Sequence, residues 1–215
     1  ASSTALITMG AGAIGGGAVG FGASVAVVTL DRTTTAGINS STVVAADVVI
    51  DAQTTDELRS VIGTAAAGGS AVAGSVFVAD ITDTTSAFIE NGSSSDYTTV
   101  TAQSVEIDAD AEIKVNESYP GGIVAVTGAV SLGGIGAGAS VDVFTIDART
   151  SAYVGDFARL DVSGDLDMDA KTDVRATSNV IAFAGGLSGG LAGAVSVITI
   201  GSNRRSEDLN DSGAG

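Results

Sequence analysis

The sequence predicts an all-β protein, a parallel β-solenoid built from about four degenerate repeats, and three observations carry that prediction. A seven-residue apolar run recurs as Ser24–Leu30 (SVAVVTL), Ser75–Ile81 (SVFVADI), Ser140–Ile146 (SVDVFTI) and Ala194–Ile200 (AVSVITI), its closing residues 51, 65 and 54 positions apart. Two shorter elements follow it in the same order: Thr34–Ile38, Thr85–Ile89 and Thr150–Val154, then Val48–Ala52, Val105–Ala109 and Leu166–Ala170. Within the run, β-branched residues alternate with small ones at period two, the spacing of a strand.

The repeats take boundaries of approximately 5–60, 61–122, 123–179 and 180–215 in one continuous segment. Each opens on a Gly/Ala-rich stretch that passes into the alternating strand. In the first, Val19, Phe21, Ala23, Val25 and Val27 share one face, while Gly20, Gly22, Ser24 and Ala26 share the other. In the third, Ile135, Ala137, Ala139, Val141 and Val143 oppose Gly136, Gly138, Ser140 and Asp142, an offset of 116 residues. The larger side chains are expected inward, with Val25, Val76, Val141 and Val195 at equivalent core positions. The small face lets another layer approach the backbone closely. Polar Thr/Ser/Asp/Asn turns are expected after Leu30 and its equivalents, with Thr85-Ser86 and Thr150-Ser151 exposed in them. A short strand then ends near Ile38, Ile89 or Val154, and the VxIDA element forms a further strand. Asn39–Thr42, Asn91–Asp96, Asn116–Gly122 and Asn203–Gly215 read as loops.

A repeat of this kind buries its apolar face only against its neighbours. Coils of roughly 20 residues, stacked about 4.8 Å apart, predict a rod about 50 Å long. A string of sandwiches would need linkers and units near 100 residues, about twice the repeat seen here.

Composition narrows the function classes. Gly supplies 30 of 215 residues, and there is no Cys, His or Trp, which removes disulfides and both Ser-His and Cys-His nucleophile systems. A formal charge of −16 argues against nucleic acid and anionic membranes as partners. Residues 1–30, 61–79, 118–141 and 176–203 are uncharged, yet their glycines and the missing aromatic belts argue against membrane-spanning helices or a membrane barrel. With no basic region before its first apolar stretch, the chain reads as an interior piece of a longer protein.

Two motifs suggest chemistry. Gly10, Gly12 and Gly15 spell G-x-G-x-x-G, with Asp31 at 21 residues from Gly10. The 116-residue offset replaces those glycines by Val126, Gly128 and Ser131, and the following GGGAVGFGAS is a poor helix former, so dinucleotide binding is not expected. Glu106, Asp108, Asp110 and Glu112 alternate, as do Asp165, Asp167 and Asp169, so each set projects from one strand face. Stacking those faces makes either a solvated acidic surface or a weak divalent cation site, with calcium the fitting ion. The first is favoured, since neither the EF-hand loop nor the G-G-x-G-x-D repeat is present. No enzyme is expected, no cofactor other than calcium, and the Thr-rich stretches are too irregular for an ice-binding array.

The succession GIGAGASVDVFTI, TSAYVGD and LDVSGDLDMDA across Gly134–Ala170 resembles repeats in very large Gram-negative exoproteins of the filamentous haemagglutinin and leukotoxin-like adhesin type. That resemblance covers nearly the whole chain and transfers no active site. It implies a right-handed parallel β-helix stalk, carried to the cell surface by a two-partner or autotransporter route, with roles in adhesion or biofilm formation. The expected function is thus a structural segment of an extracellular or surface adhesin. Its partners would be neighbouring repeats, copies of itself end to end, and host-cell or matrix glycans and proteins. The alternatives are a filament or sheath subunit stacking end to end and, with less support, a carbohydrate-active β-helix.

Overall fold

A computed structural model of the protein describes residues 1–91, 97–117, 123–131 and 134–201, for 123–131 the backbone alone. Of the expected loops, residues 92–96, 118–122 and 203–215 lie outside the described residues. The described chain is all-β: β1 (Ser2–Asn39), β2 (Thr42–Val44), β3 (Asp47–Glu90), β4 (Thr98–Ala102), β5 (Ser104–Val115), β6 (Ile123–Ser131), β7 (Ile135–Val154), β8 (Ala158–Val162), β9 (Leu166–Ala176), β10 (Asn179–Gly185) and β11 (Gly189–Ile200).

Strand pairing is parallel throughout, in an eight-stranded and a three-stranded sheet. The pairing follows the sequence repeat. Leu30 lies beside Ile81, Ile81 beside Ile146 and Ile146 beside Ile200, so the repeat intervals are the pairing intervals. Strand neighbours are therefore one whole repeat apart rather than about 20 residues apart. Four strands side by side span roughly 14 Å, not 50 Å. The shorter elements pair likewise, Ile50 with Ile107 and Ile107 with Met168, while β2, β4 and β8 form the small sheet.

Long β1 is not straight. A methyl group on Gly15 would fall on the Phe21 carbonyl six residues later, and Gly17 adopts φ +140°, so the chain doubles back there. Gly190 likewise sits against Ala184 and Gly185. Each repeat thus has an outgoing and a returning arm whose sheets face each other. At the glycine end the two backbones nearly touch, a Cβ on Gly22 lying 2.5 Å from the Ala65 carbonyl oxygen.

That contact corrects the expected strand phase. Val25, Val76 and Val195 are 67%, 36% and 53% exposed, and Val141 is half-buried, whereas Ser24, Ala26, Val28, Ser75, Phe77, Ser140 and Phe144 are buried. Two backbones this close leave no room for a branched side chain, so the small face turns inward and the valines outward. The expected closeness of a second layer is present; the expected valine core is not.

The stretches read as turns after Leu30 and its equivalents remain strand up to Asn39, Glu90 and Val154. Thr85 is fully buried in β3, and Ser86, Thr150 and Ser151 are half-buried in strands. The G-x-G-x-x-G segment is strand as well: Gly12 pairs with Gly63, which pairs with Val126. The 116-residue offset holds from Gly20 to Gly136, but an offset of 114 applies from Gly12 to Val126, so Val126 stands in the row of Gly12 rather than Gly10.

The interior changes character along the arms. Beyond the glycine end lies a cluster around Leu58, Ile62, Phe77, Ile81, Ile113 and Phe144, with the two phenylalanine rings edge to face at 5.3 Å. A second cluster, around Ile50, Ile89, Val100, Val105 and Ile107, is closed by the small sheet. Polar side chains separate the two.

Candidate functional site

Apart from Asp165, the acidic residues singled out in the sequence lie on one face of β5 and β9. Register places Asp51, Asp108 and Asp169 in one row, and Val49, Glu106 and Asp167 in the next. Asp110 stands beside Gln53 and Lys171, whose cation breaks the third row. Asp165 precedes β9, and its carbonyl oxygen accepts the Val105 amide at 3.0 Å. The structure thus joins Asp108 to Asp169, adds Asp51, and leaves Asp165 outside the rows. Partial burial, with the charges of Asp169, Asp51 and Asp110, raises the Asp108 pKa above the ordinary carboxylate value. Among the described residues no group of three or more carboxylates is set to hold a metal ion. The rows form a ladder of like charges along neighbouring strands, flanked by the Glu112–Lys114 pair at 2.7 Å and the Asp173–Arg175 pair at 2.6 Å.

A second constellation lies inside. Between the apolar clusters, Arg32 pairs with Asp56 and also reaches Ser3, while Asp83 lies buried with its Oδ2 3.0 Å from Thr85 Oγ1. Thr54 Oγ1 is 2.8 Å from both Thr34 and Thr85, and Thr150 is 2.7 Å from Thr172. Threonines of one arm meet threonines of the other in successive repeats, forming a polar belt across the core. These are the Thr/Ser stretches that read as turns. Burial raises the pKa of Asp56, opposed by Arg32 and assisted by Asp83; burial also raises that of Asp83, opposed by Thr85 and Arg32. Arg32 thus pairs directly with Asp56 and acts on Asp83 only through its charge at longer range.

Asp142 is the third buried acid. Its row runs Ala26, Phe77, Asp142, Ser196, so it points inward where the neighbouring repeat carries a phenylalanine. Ser178 donates to Oδ2 and lies 2.8 Å from Ser196 Oγ, whereas Oδ1 has no hydrogen-bonding partner. Burial outweighs the serine and pushes its pKa up to about 6. The signal was present in sequence: Asp142 shares its strand face with Gly136, Gly138 and Ser140, and that face is the buried one.

Two shallow grooves mark the outer faces of the glycine-rich half. One, of about 470 Å³, is lined by Gly12, Ala13, Ile14, Gly63, Thr64, Ala65 and Phe183. The other, of about 340 Å³, is lined by Val72, Ala137, Ala139, Leu191 and Gly193 among others. Neither brings together the converging polar groups of a small-molecule site. Comparison with known protein families, with curated proteins and with solved structures gave no match to this chain.

Proposed function

We propose that this chain is a structural, non-enzymatic repeat segment of a secreted or cell-surface adhesin, folded as a right-handed parallel β-helix that serves as stalk and display surface. The observation that carries the proposal is the pairing of whole repeats in register. The side chains that recur are used to join one repeat to the next, as in Ser75 to Ser140 at 2.6 Å and Ser86 to Ser151 at 2.9 Å. The resemblance to haemagglutinin-type exoprotein repeats supplies the adhesin assignment. On this reading the acidic rows are a solvated face, with weak calcium binding at Glu106, Asp108, Asp110, Asp167 and Asp169 the refinement that titration tests.

Beads coated with the folded chain should be retained on immobilised matrix glycoproteins or glycans, without release of sugar. Equal retention by heat-unfolded chain, or none by the folded chain, would overturn the display role. Release of reducing sugar would favour the carbohydrate-active alternative.

The pairing also supports a second reading, a filament subunit that stacks end to end. In the described structure β1 pairs only with β3, and β11 only with β7, so each outermost strand presents a free edge. Ile7 on β1 is half-buried and would be covered by a stacked copy. Ile7→Lys, whose ammonium reaches water only in the unstacked chain, should abolish filaments seen by electron microscopy. Persistence of filaments would remove this reading.

A further inference from the structure

The outward face of the returning arms carries four rows of side chains, one from each of β1, β3, β7 and β11. Two rows are all valine: Val25, Val76, Val141, Val195 and Val27, Val78, Val143, Val197. Beside them runs a row of small residues, Ala23, Gly74, Ala139 and Gly193, and then Phe21, Val72, Ala137 and Leu191. Phe21 and Leu191 are 69% and 73% exposed. None of these sixteen positions is ionisable in a chain of formal charge −16. On β7 and β11 the small-residue row, at Ala139 and Gly193, lines the 340 Å³ groove together with Val72, Ala137 and Leu191 of the neighbouring row.

We propose that this face pairs with the same face of a second copy of the chain, the Val25 row of each seated in the Ala23 row of the other. Ridge and groove lie side by side on one surface, so a two-fold rotation matches each to its counterpart, the condition for a closed, self-complementary dimer. Inside the molecule Gly and Ala already let one arm approach another closely, as at Gly20 against Ala67 and Gly22 against Ala65. Sixteen side chains, each covering about 4.8 Å across and 6.7 Å along the strands, give a footprint of roughly 500 Å² per copy, or about 1,000 Å² in all, the lower bound of a specific interface. Charge does not oppose a second copy at the face itself. The nearest carboxylates, Asp80 in the adjoining row and Asp31 and Asp147 in the next, lie beyond the valine rows, so the face itself brings no charges together. This pairing is lateral, independent of the stalk reading and of end-to-end stacking.

Sedimentation velocity of the full chain at micromolar concentration tests the proposal with two kinds of variant. Val25→Asp with Val76→Asp places charge on the ridge. Gly193→Leu fills the groove, and a Cβ there meets nothing of its own chain within 4 Å. Both should leave the circular dichroism spectrum unchanged and weaken dimerisation on the order of 100-fold. A monomeric wild-type chain would overturn the proposal, and so would a monomer that floats with phosphatidylcholine vesicles, since a lipid surface would then be the occupant. Association unaffected by both variants but lost with Ile7→Lys would overturn it in favour of edge stacking.

Discussion

The glycine-rich half of each repeat and the half that carries the charges are built from the same parallel ladder, yet they solve the core problem differently. In the first, residues such as Gly20, Gly22 and Gly68 let two backbones come together with almost nothing between them, and the larger side chains go outward. In the second, the arms stand far enough apart to enclose Phe77, Phe144 and Ile113, and then a belt containing one arginine, two aspartates and several threonines. Hydrophobicity of a side chain therefore decides burial only where there is space for it. Near the glycine end size decides first.

Four experiments would break or sharpen this contrast. The largest effect is expected in the belt. Arg32→Met keeps the aliphatic bulk but leaves Asp56 and Asp83 without their cation, a loss of about 3–5 kcal/mol at pH 7 by denaturant titration. That loss should shrink as the pH falls and the two raised carboxyl groups take up protons. In the glycine end, Gly22→Val forces a branched side chain into a gap where Cβ alone would be 2.5 Å from the Ala65 carbonyl oxygen, and should destabilise by about 3 kcal/mol. Outward substitutions one residue away at Phe21 or Ala23 should be nearly neutral, and equal effects would remove the distinction between the faces.

Asp142 gives the third test, with the sign set by its raised pKa. Below about pH 4 the group is protonated in both folded and unfolded chains, and its proton uptake stabilises the fold relative to neutral pH. Between that range and the folded value of about 6 the advantage is lost as pH rises. Asp142→Asn should therefore raise stability at pH 7, by up to about 3 kcal/mol, and change little at pH 4. An unchanged pH profile would show that Asp142 is ionised without penalty. The smallest effect belongs to the acidic ladder. Asp108→Asn relieves repulsion from Asp169 and Asp51 and should stabilise by less than about 1 kcal/mol. Calcium should raise the melting temperature more than monovalent salt at equal ionic strength only if the ladder binds it.

Much of the fold was legible because it rests on repetition. The 51-, 65- and 54-residue intervals are the pairing intervals, and the strand ends near Ile38, Ile89 and Val154 fall within one residue of those observed. Phase was harder to read. Alternation of Val with Gly or Ala marks two faces without saying which is inside, and the ordinary preference for burying valine pointed the wrong way. Thr/Ser stretches such as Thr33–Thr35 resemble turns locally, and only the opposing Thr54 reveals them as rungs between arms. For the acidic rows, register was visible but separation from Asp165 was not, since the chain bends at Ser163 and Gly164 and β9 begins only at Leu166. The belt was missed because Arg32, Asp56 and Asp83 are dispersed in sequence and meet only through the stacking.

The pairing of whole repeats also governs how the molecule would bear a load. The β1–β3 ladder runs from Ser2 beside Gln53 to Asn39 beside Glu90, interrupted at Ala18, but neighbouring strands are held one rung after another when pulled apart across the sheet. Tension applied through the outermost strands should open such a ladder from a corner, so that repeats detach in turn at modest force. Each detached repeat of 51 to 65 residues would release roughly 170–230 Å of chain. A segment only four strands thick would thus extend many times its length before the last ladder fails, behaving as a shock absorber. Force–extension curves with steps of that spacing would identify it as one, and a single cooperative rupture would show the load shared across all repeats.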